Sequence, residues 1–168
     1  LDVPYGPTPA EVVNVFPAEK PGSPIVYFIH GGYWRSSSQK DVDLYAEALV
    51  PAGCAYVTVN YLLAPEATID EIVRQNRAAL AWTWRNIAQY GGDPDRIHVS
   101  GHSAGGHLTA MMAATDWAGF ESDLPGNLVK SGLPISGVFE LEPEMKCFLN
   151  DVLALDEAEA PRNSPPVL

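Results

Sequence analysis

The pentapeptide Gly101-His102-Ser103-Ala104-Gly105 constrains the fold more than any other stretch of this 168-residue chain. It follows Arg96–Ser100 (RIHVS), whose apolar residues alternate as in a strand. It leads into Ala104–Ala114 (AGGHLTAMMAA), rich in helix formers, with Leu108, Met111 and Met112 as the expected buried stripe. A serine with glycine at i−2 and i+2 fits a sharp strand-to-helix turn, because side chains at Gly101 or Gly105 would strike neighbouring backbone. Such a turn lifts the Ser103 hydroxyl above the sheet. It also presents the Ala104 N–H, at the start of the helix, to a developing negative charge.

A second segment completes that picture. His30-Gly31-Gly32-Tyr33-Trp34 closes the apolar strand Pro24–Ile29, where a nucleophilic hydrolase needs further backbone donors. Ser103 is the candidate nucleophile, and the N–H groups of Gly32, Tyr33 and Ala104 are the candidate oxyanion hole. Gly31 permits the turn that aims them, and His30 is expected to position the corner rather than move a proton. A serine hydroxyl is a poor nucleophile at neutral pH and needs a histidine base oriented by a carboxylate. This chemistry requires neither metal nor cofactor.

Strand and helix signals alternate along the chain. Glu11–Phe16 reads as a strand, Pro17–Pro24 as a linker and Ile25–Ile29 as a strand covered on both faces. Ser38–Val50 reads as a helix with Val42, Tyr45, Ala46 and Leu49 on one face, capped by Ser36, Ser37 or Ser38. Ala55–Asn60 is a strand and Tyr61–Pro65 a loop. Thr68–Tyr90 is the longest helix, with a capping box from Thr68 to Glu71 and a left-handed stop at Gly91. Gly92–Asp95 is a turn, Leu133–Phe139 a strand, Glu142–Leu153 a weaker helix and Asp156–Leu168 mostly loop. The alternation predicts an α/β chain: a doubly wound, mostly parallel sheet with helices on both faces. Reactive groups in such sheets gather at the carboxyl ends of the strands, where His30, Asn60 and Ser103 all fall.

One domain, residues 1–168, fits this length, and 46% hydrophobic residues can supply its core. A net charge of −11 without any basic run argues against nucleic acid as a partner. No stretch reaches the length of a membrane span and no signal-peptide pattern opens the chain, so a cytoplasmic protein acting on a small molecule is expected. A homodimer is left open. Cys54 and Cys147 read as free buried thiols.

The strings HGGYW, YGGDPDRIHVSGHS and GHSAGGHL resemble the α/β-hydrolase-type kynurenine formamidases (arylformamidases), as do ISGVFELEP and LNDVLALDEAEAPRNSP further on. The similarity runs from about Tyr5 to Pro165. GHSAGGHL is shared with wider esterase families. HGGYW is narrower, since the related hormone-sensitive-lipase group usually carries a third glycine where Tyr33 stands. The resemblance implies an α/β-hydrolase fold and hydrolysis of N-formyl-L-kynurenine to L-kynurenine and formate. It assigns Ser103 as nucleophile, Gly32–Tyr33 to the oxyanion hole and Trp34 as a motif residue supporting the pocket.

In that family the triad aspartate and then histidine come after the serine, beyond the last residue here. The chain begins with Leu1, and Pro165-Pro166-Val167-Leu168 resembles the start of another strand, so a fragment with little or no activity alone is expected. His98 reads as a strand residue, His102 as turned away from Ser103, and His107 as a packed or hydrogen-bonded helix residue. Trp82 and Trp84 read as core, Tyr33 and Trp34 as pocket candidates, Arg35 as a solvated surface residue. Asp151, Asp156, Glu157 and Glu159 read as a solvated acidic loop. Two further readings stand beside the formamidase: a broad carboxylesterase, and a non-catalytic relative that keeps a binding pocket.

Overall fold

The computed structural model describes residues 1–165. Six strands form one sheet in the order β1-β2-β4-β3-β5-β6. They are β1 (Val3–Pro4), β2 (Val12–Phe16), β3 (Ser23–Ile29), β4 (Ala55–Val59), β5 (Gly92–His102) and β6 (Val129–Ile135). The pairs β3–β4, β3–β5 and β5–β6 are parallel; β2 joins β4, and β1 joins β2, antiparallel. The sheet is therefore mixed, with a parallel centre, and the molecule has the α/β-hydrolase fold. In the central strand β4 every residue is buried, as expected where both faces are covered.

The helices are α1 (Ala46–Leu49), α2 (Ile69–Asn86), α3 (Ala104–Ala113), α4 (Trp117–Phe120), α5 (Asn150–Leu153) and α6 (Glu159–Arg162). The long helix α2 buries Ile69, Ile72, Val73, Ala79 and Leu80 along one stripe. Thr68 caps it by accepting from the Glu71 N–H at 3.3 Å. The Glu71 carboxylate, however, accepts from Arg74 and Gln75 instead of closing the box. A 3₁₀ turn, Ile87–Tyr90, extends α2 and ends at Gly91 with φ +83°. Helix α3 packs against β3, β5 and β6, and α2 against α3 and β5.

Other expectations from the sequence shift. Ser38–Val50 is not one helix but two 3₁₀ turns, Gln39–Asp41 and Asp43–Tyr45, followed by the single turn α1. Its expected apolar face is not buried: Tyr45 is exposed, and Val42, Ala46 and Leu49 are not in the core. Polar ties hold it instead. Asp43 accepts from Thr58 Oγ1 (2.6 Å) and Asn14 Nδ2 (2.7 Å), and Tyr56 donates to the Val42 carbonyl (2.9 Å). The strand expected over Leu133–Phe139 runs instead over Val129–Ile135 as β6, beginning and ending four residues earlier, and Gly92–Asp95 belongs to β5. Cys54 and Cys147 are free but only half-buried. Glu142–Leu153 reduces to a 3₁₀ turn at Glu144–Lys146 and α5, while the loop from Asp156 holds α6. The strand start expected at Pro166-Val167-Leu168 lies outside the described residues.

Candidate functional site

The carboxyl ends of β3 and β5 lie side by side, and three glycines set how closely they meet. A Cβ on Gly105 would sit 2.0 Å from the Ile29 carbonyl oxygen, and one on Gly101 would sit 2.3 Å from that of Gly105. A Cβ on Gly31 would come within 2.6 Å of the His102 carbonyl oxygen and 3.3 Å of Ser103 Cβ. The His-Gly-Gly corner thus touches the serine turn. Ser103 occupies φ 58°, ψ −120°, a conformation that costs a side-chain-bearing residue about 1–3 kcal/mol. Its N–H donates to the Ile135 carbonyl (2.9 Å), and its own carbonyl accepts from His107 N–H (3.0 Å). The hydroxyl caps no helix N–H and the residue is half-buried, so Oγ is not consumed by structure. Ala104 opens α3, where N–H groups have no carbonyl in a preceding turn.

The corner itself is strained. Gly32, Tyr33 and Trp34 have φ of 106°, 52° and 56° in succession. For bulky residues this is uncommon backbone, and it persists only when its surroundings hold it. The Gly32 carbonyl accepts from the N–H groups of Arg35 and Ser36, both at 3.1 Å, and from Ser36 Oγ at 3.0 Å. The Trp34 carbonyl accepts from Ala64 N–H at 2.8 Å. His30 is buried, and its Nδ1 lies 2.8 Å from the Gly31 carbonyl, so Nδ1 carries the proton and donates. In a trans peptide the C=O and N–H point opposite ways. Holding the Gly31 oxygen therefore also fixes the direction of the Gly32 N–H. Tyr61 stacks on the His30 ring at 4.3 Å and donates its hydroxyl to the His30 carbonyl (2.8 Å). Burial lowers the His30 pKa and keeps the ring neutral.

The other candidates divide. Tyr33 is 48% exposed beside the serine turn, whereas Trp34 is wholly buried. Trp34 is therefore no pocket wall; its indole Nε1 donates to His107 Nδ1 at 3.3 Å. His107 Nε2 meets the Asn163 carbonyl at 2.6 Å. His98 pairs with Ser131 Oγ (2.8 Å) within the sheet, and His102 is exposed. Trp82 and Trp84 pack half-buried on the core. Arg35 is exposed over the Phe148 ring and lines a cavity of about 330 Å³ with Asn60 and Leu62–Glu66. Glu159 is not solvated: it is buried, and accepts from the Asp70 N–H (2.9 Å) at the start of α2. Asp156 caps α6 through the N–H groups of Ala158 and Glu159. Among the described residues, no group of three His, Cys, Asp or Glu is placed to hold a metal, and no helix is long and apolar enough to cross a membrane.

Sequence reading misses Tyr61 and Asn163. Both act through contacts distant in sequence, which leave no periodic trace.

Burial also lowers the His107 pKa, from 6.5 to about 4. The folded state thus prefers the neutral ring, and the unfolded chain binds the proton first. His107 stabilises the fold fully above pH 6.5, and that contribution is lost as pH falls toward 4. At about 1.4 kcal/mol per pH unit the whole effect is about 3 kcal/mol. Urea midpoints taken between pH 7 and pH 4 are expected to fall for the native chain, and His107→Gln is expected to flatten that decline.

The BD-FAE family model matches residues 14–138. Over 167 residues the chain is 33% identical to a kynurenine formamidase of Danio rerio, which spans 98% of this chain and 55% of that protein. It is 35% identical over 151 residues to esterase LipQ of Mycobacterium tuberculosis, covering 83% of this chain and 35% of that one. Among solved structures, a candidate thioesterase from a Silicibacter species superposes with a TM-score of 0.87 at 28% identity, covering 98% of this chain and 60% of the other. The chain spans about half the length of the curated kynurenine formamidases it matches.

Proposed function

From a chain that belongs to the BD-FAE family and has the fold of an α/β-hydrolase, we propose a serine hydrolase in which Ser103 attacks an aryl formamide. The substrate is N-formyl-L-kynurenine and the products are L-kynurenine and formate. One observation carries this reading: Ser103 sits in left-handed backbone, its hydroxyl free of capping, against the Gly31 corner. Likeness to kynurenine formamidases over nearly the whole chain supports the substrate.

The reaction follows from the geometry. Ser103 Oγ bonds to the formyl carbon as a base removes its proton, and the carbonyl oxygen becomes an oxyanion. The N–H groups of Gly32, Tyr33 and Ala104 stabilise that charge, each worth about 3–4 kcal/mol of barrier. The C–N bond then breaks, and the aryl amine leaves with the proton returned by the base. Water attacks the formyl ester, releasing formate and restoring the hydroxyl.

None of the four histidines described suits the base. His107 is buried with both ring nitrogens engaged, and His30, although its Nε2 has no partner, is buried under the stacked Tyr61 ring with its pKa lowered. His98 bonds Ser131, and we expect the sharp turn at Ser103 to aim the exposed His102 side chain away from the hydroxyl. We therefore expect residues 1–168 alone to show little or no turnover of N-formylkynurenine.

A carboxylesterase is the second reading, favoured by the likeness to LipQ. Comparing kcat/KM on N-formylkynurenine and on a nitrophenyl acetate in the complete protein separates them. A preference for the formamide of at least about tenfold is expected, a difference of about 1.4 kcal/mol in transition-state binding. A preference for the ester makes the protein an esterase.

A further inference from the structure

The nucleophile helix and the oxyanion corner are joined by a buried side chain that the mechanism above does not use. Trp34 Nε1 can only donate, so His107 Nδ1 must accept. The Asn163 carbonyl can only accept, so His107 Nε2 must carry the proton. The two partners together fix one tautomer, and the ring, edge-on to the indole at 5.1 Å, has no rotational choice left. Trp34 follows Tyr33 directly, so its anchorage sets the left-handed backbone from which the corner's N–H groups project. His107 lies one turn after Ser103 on α3 and receives the Ser103 carbonyl at its own N–H. A single residue thus references the oxyanion donors to the nucleophile.

The tie continues outward. Asn163 Nδ2 donates to Asp70 Oδ1 (2.7 Å) and to the Glu159 carbonyl (3.1 Å). Asp70 pairs with Arg162 at the surface, and its N–H is held by Glu159. Each link is partnered, as a buried polar chain must be to hold its members rigid. The segment 159–163 therefore braces the site from behind, through its main chain.

We propose that His107 is a positioning residue of the hydrolase, the neutral bridge that holds Trp34, and so the oxyanion corner, in register with Ser103. This rests on the serine-hydrolase reading. An imidazolium in its place would turn an Nδ1–H against the indole N–H, two donors facing each other, and burial of the ring opposes that charge.

The test uses the complete protein. His107→Phe keeps a ring but removes both hydrogen bonds, and His107→Gln restores one acceptor and one donor. Trp34→Phe removes the donor from the other side. His107→Phe is expected to lower kcat at least tenfold with KM changed less than twofold, and His107→Gln to recover most of the loss. Trp34→Phe is expected to lower kcat comparably, and the double variant to be no worse than either single one, since both cut the same bond. In parallel, hydrogen exchange of the Trp34 indole proton, followed by NMR, is expected to speed up at least a hundredfold in His107→Phe. It should remain slow in Ser103→Ala. The proposal is overturned if His107→Phe retains kcat within twofold, if Gln fails to rescue, or if losses in the two single variants multiply. Should His107→Phe not fold, Trp34→Phe alone decides by the same kcat criterion. Turnover surviving in Ser103→Ala counts against the hydrolase reading only, because indole exchange reads the tie without any chemistry.

Discussion

Ser103→Gly is expected to make the protein more stable and catalytically dead. At φ 58°, ψ −120° a side chain is held in backbone that glycine adopts freely. Relief of about 1–3 kcal/mol of strain is offset by the greater chain entropy glycine loses on folding, about 0.5–1 kcal/mol. A net gain of about 1 kcal/mol, or about 2–4 °C in melting temperature, should remain. Nothing is forfeited with the hydroxyl, since it caps no N–H of α3. Ser103→Ala keeps the strain, so its stability should stay within about 0.5 kcal/mol of the native chain. Both variants should lose at least about 10⁴-fold in kcat in the complete protein, the scale seen when a serine nucleophile is removed. Calorimetry and formamide turnover on the pair separate the two claims. An alanine variant with more than a hundredth of the native rate removes Ser103 as nucleophile. A glycine variant less stable than the alanine one removes the strain.

How much of this is legible in the residues depends on the range of the interaction. The Ser103 turn announces itself locally, because glycine at 101 and 105 answers a steric demand between residues close in sequence or fixed by adjacent strands. The strands β2 and β4 and helix α2 also declare themselves by period. The helix expected over Ser38–Val50 fails for a physical reason. Asp41 closes a capping box on the Ser38 N–H and starts a turn, but Asp43 two residues on bonds Thr58 and Asn14 of the sheet instead of facing solvent along a helix. Short polar side chains compete with the helix in this way and favour tight turns. The extent of β6 is easily misread because Leu133, Ile135 and Phe139 look like a strand core, yet Leu133 and Ile135 are exposed at this edge of the sheet and Phe139, also exposed, lies past the end of β6.

Trp34 shows the limit most clearly. Placed beside the oxyanion corner, it reads as a pocket aromatic. Two consecutive left-handed residues carry its ring under the corner to His107, and nothing in the pentapeptide HGGYW signals those dihedrals. His107 is readable as a bonded helix residue, but its partner 73 positions upstream is not. Glu159, one acid among several near the carboxyl-terminal end, looks solvated for the same reason: its partner is the first turn of α2. Long-range polar pairing, unlike apolar periodicity, has no template in one sequence.

The contact between α3 and β3 supplies the second large effect. Gly105→Ala should place a methyl group where 2.0 Å separates it from the Ile29 oxygen and 2.7 Å from that of His30. Both obstacles are backbone at the end of a central strand, so neither can rotate away as a flexible side chain would. Reaching ordinary contact at 3.4 Å requires α3 to withdraw along its whole packed face, opening gaps around Leu108 and Met112, which are buried. Overpacking of this kind is expected to cost about 3 kcal/mol or more, lowering the melting temperature by at least about 6 °C. The same withdrawal moves Ser103 away from Gly31. A misplacement of about 1 Å between reacting groups costs about 10²-fold in rate. Gly126→Ala is the control, since a methyl group there meets nothing within 4 Å and should leave stability within about 0.5 kcal/mol. Thermal melts of the two variants, with formamide turnover in whatever Gly105→Ala remains folded, check both consequences. If Gly105→Ala melts within about 2 °C of Gly126→Ala, the close approach of helix to strand, and with it the placing of the serine beside the oxyanion corner, is wrong.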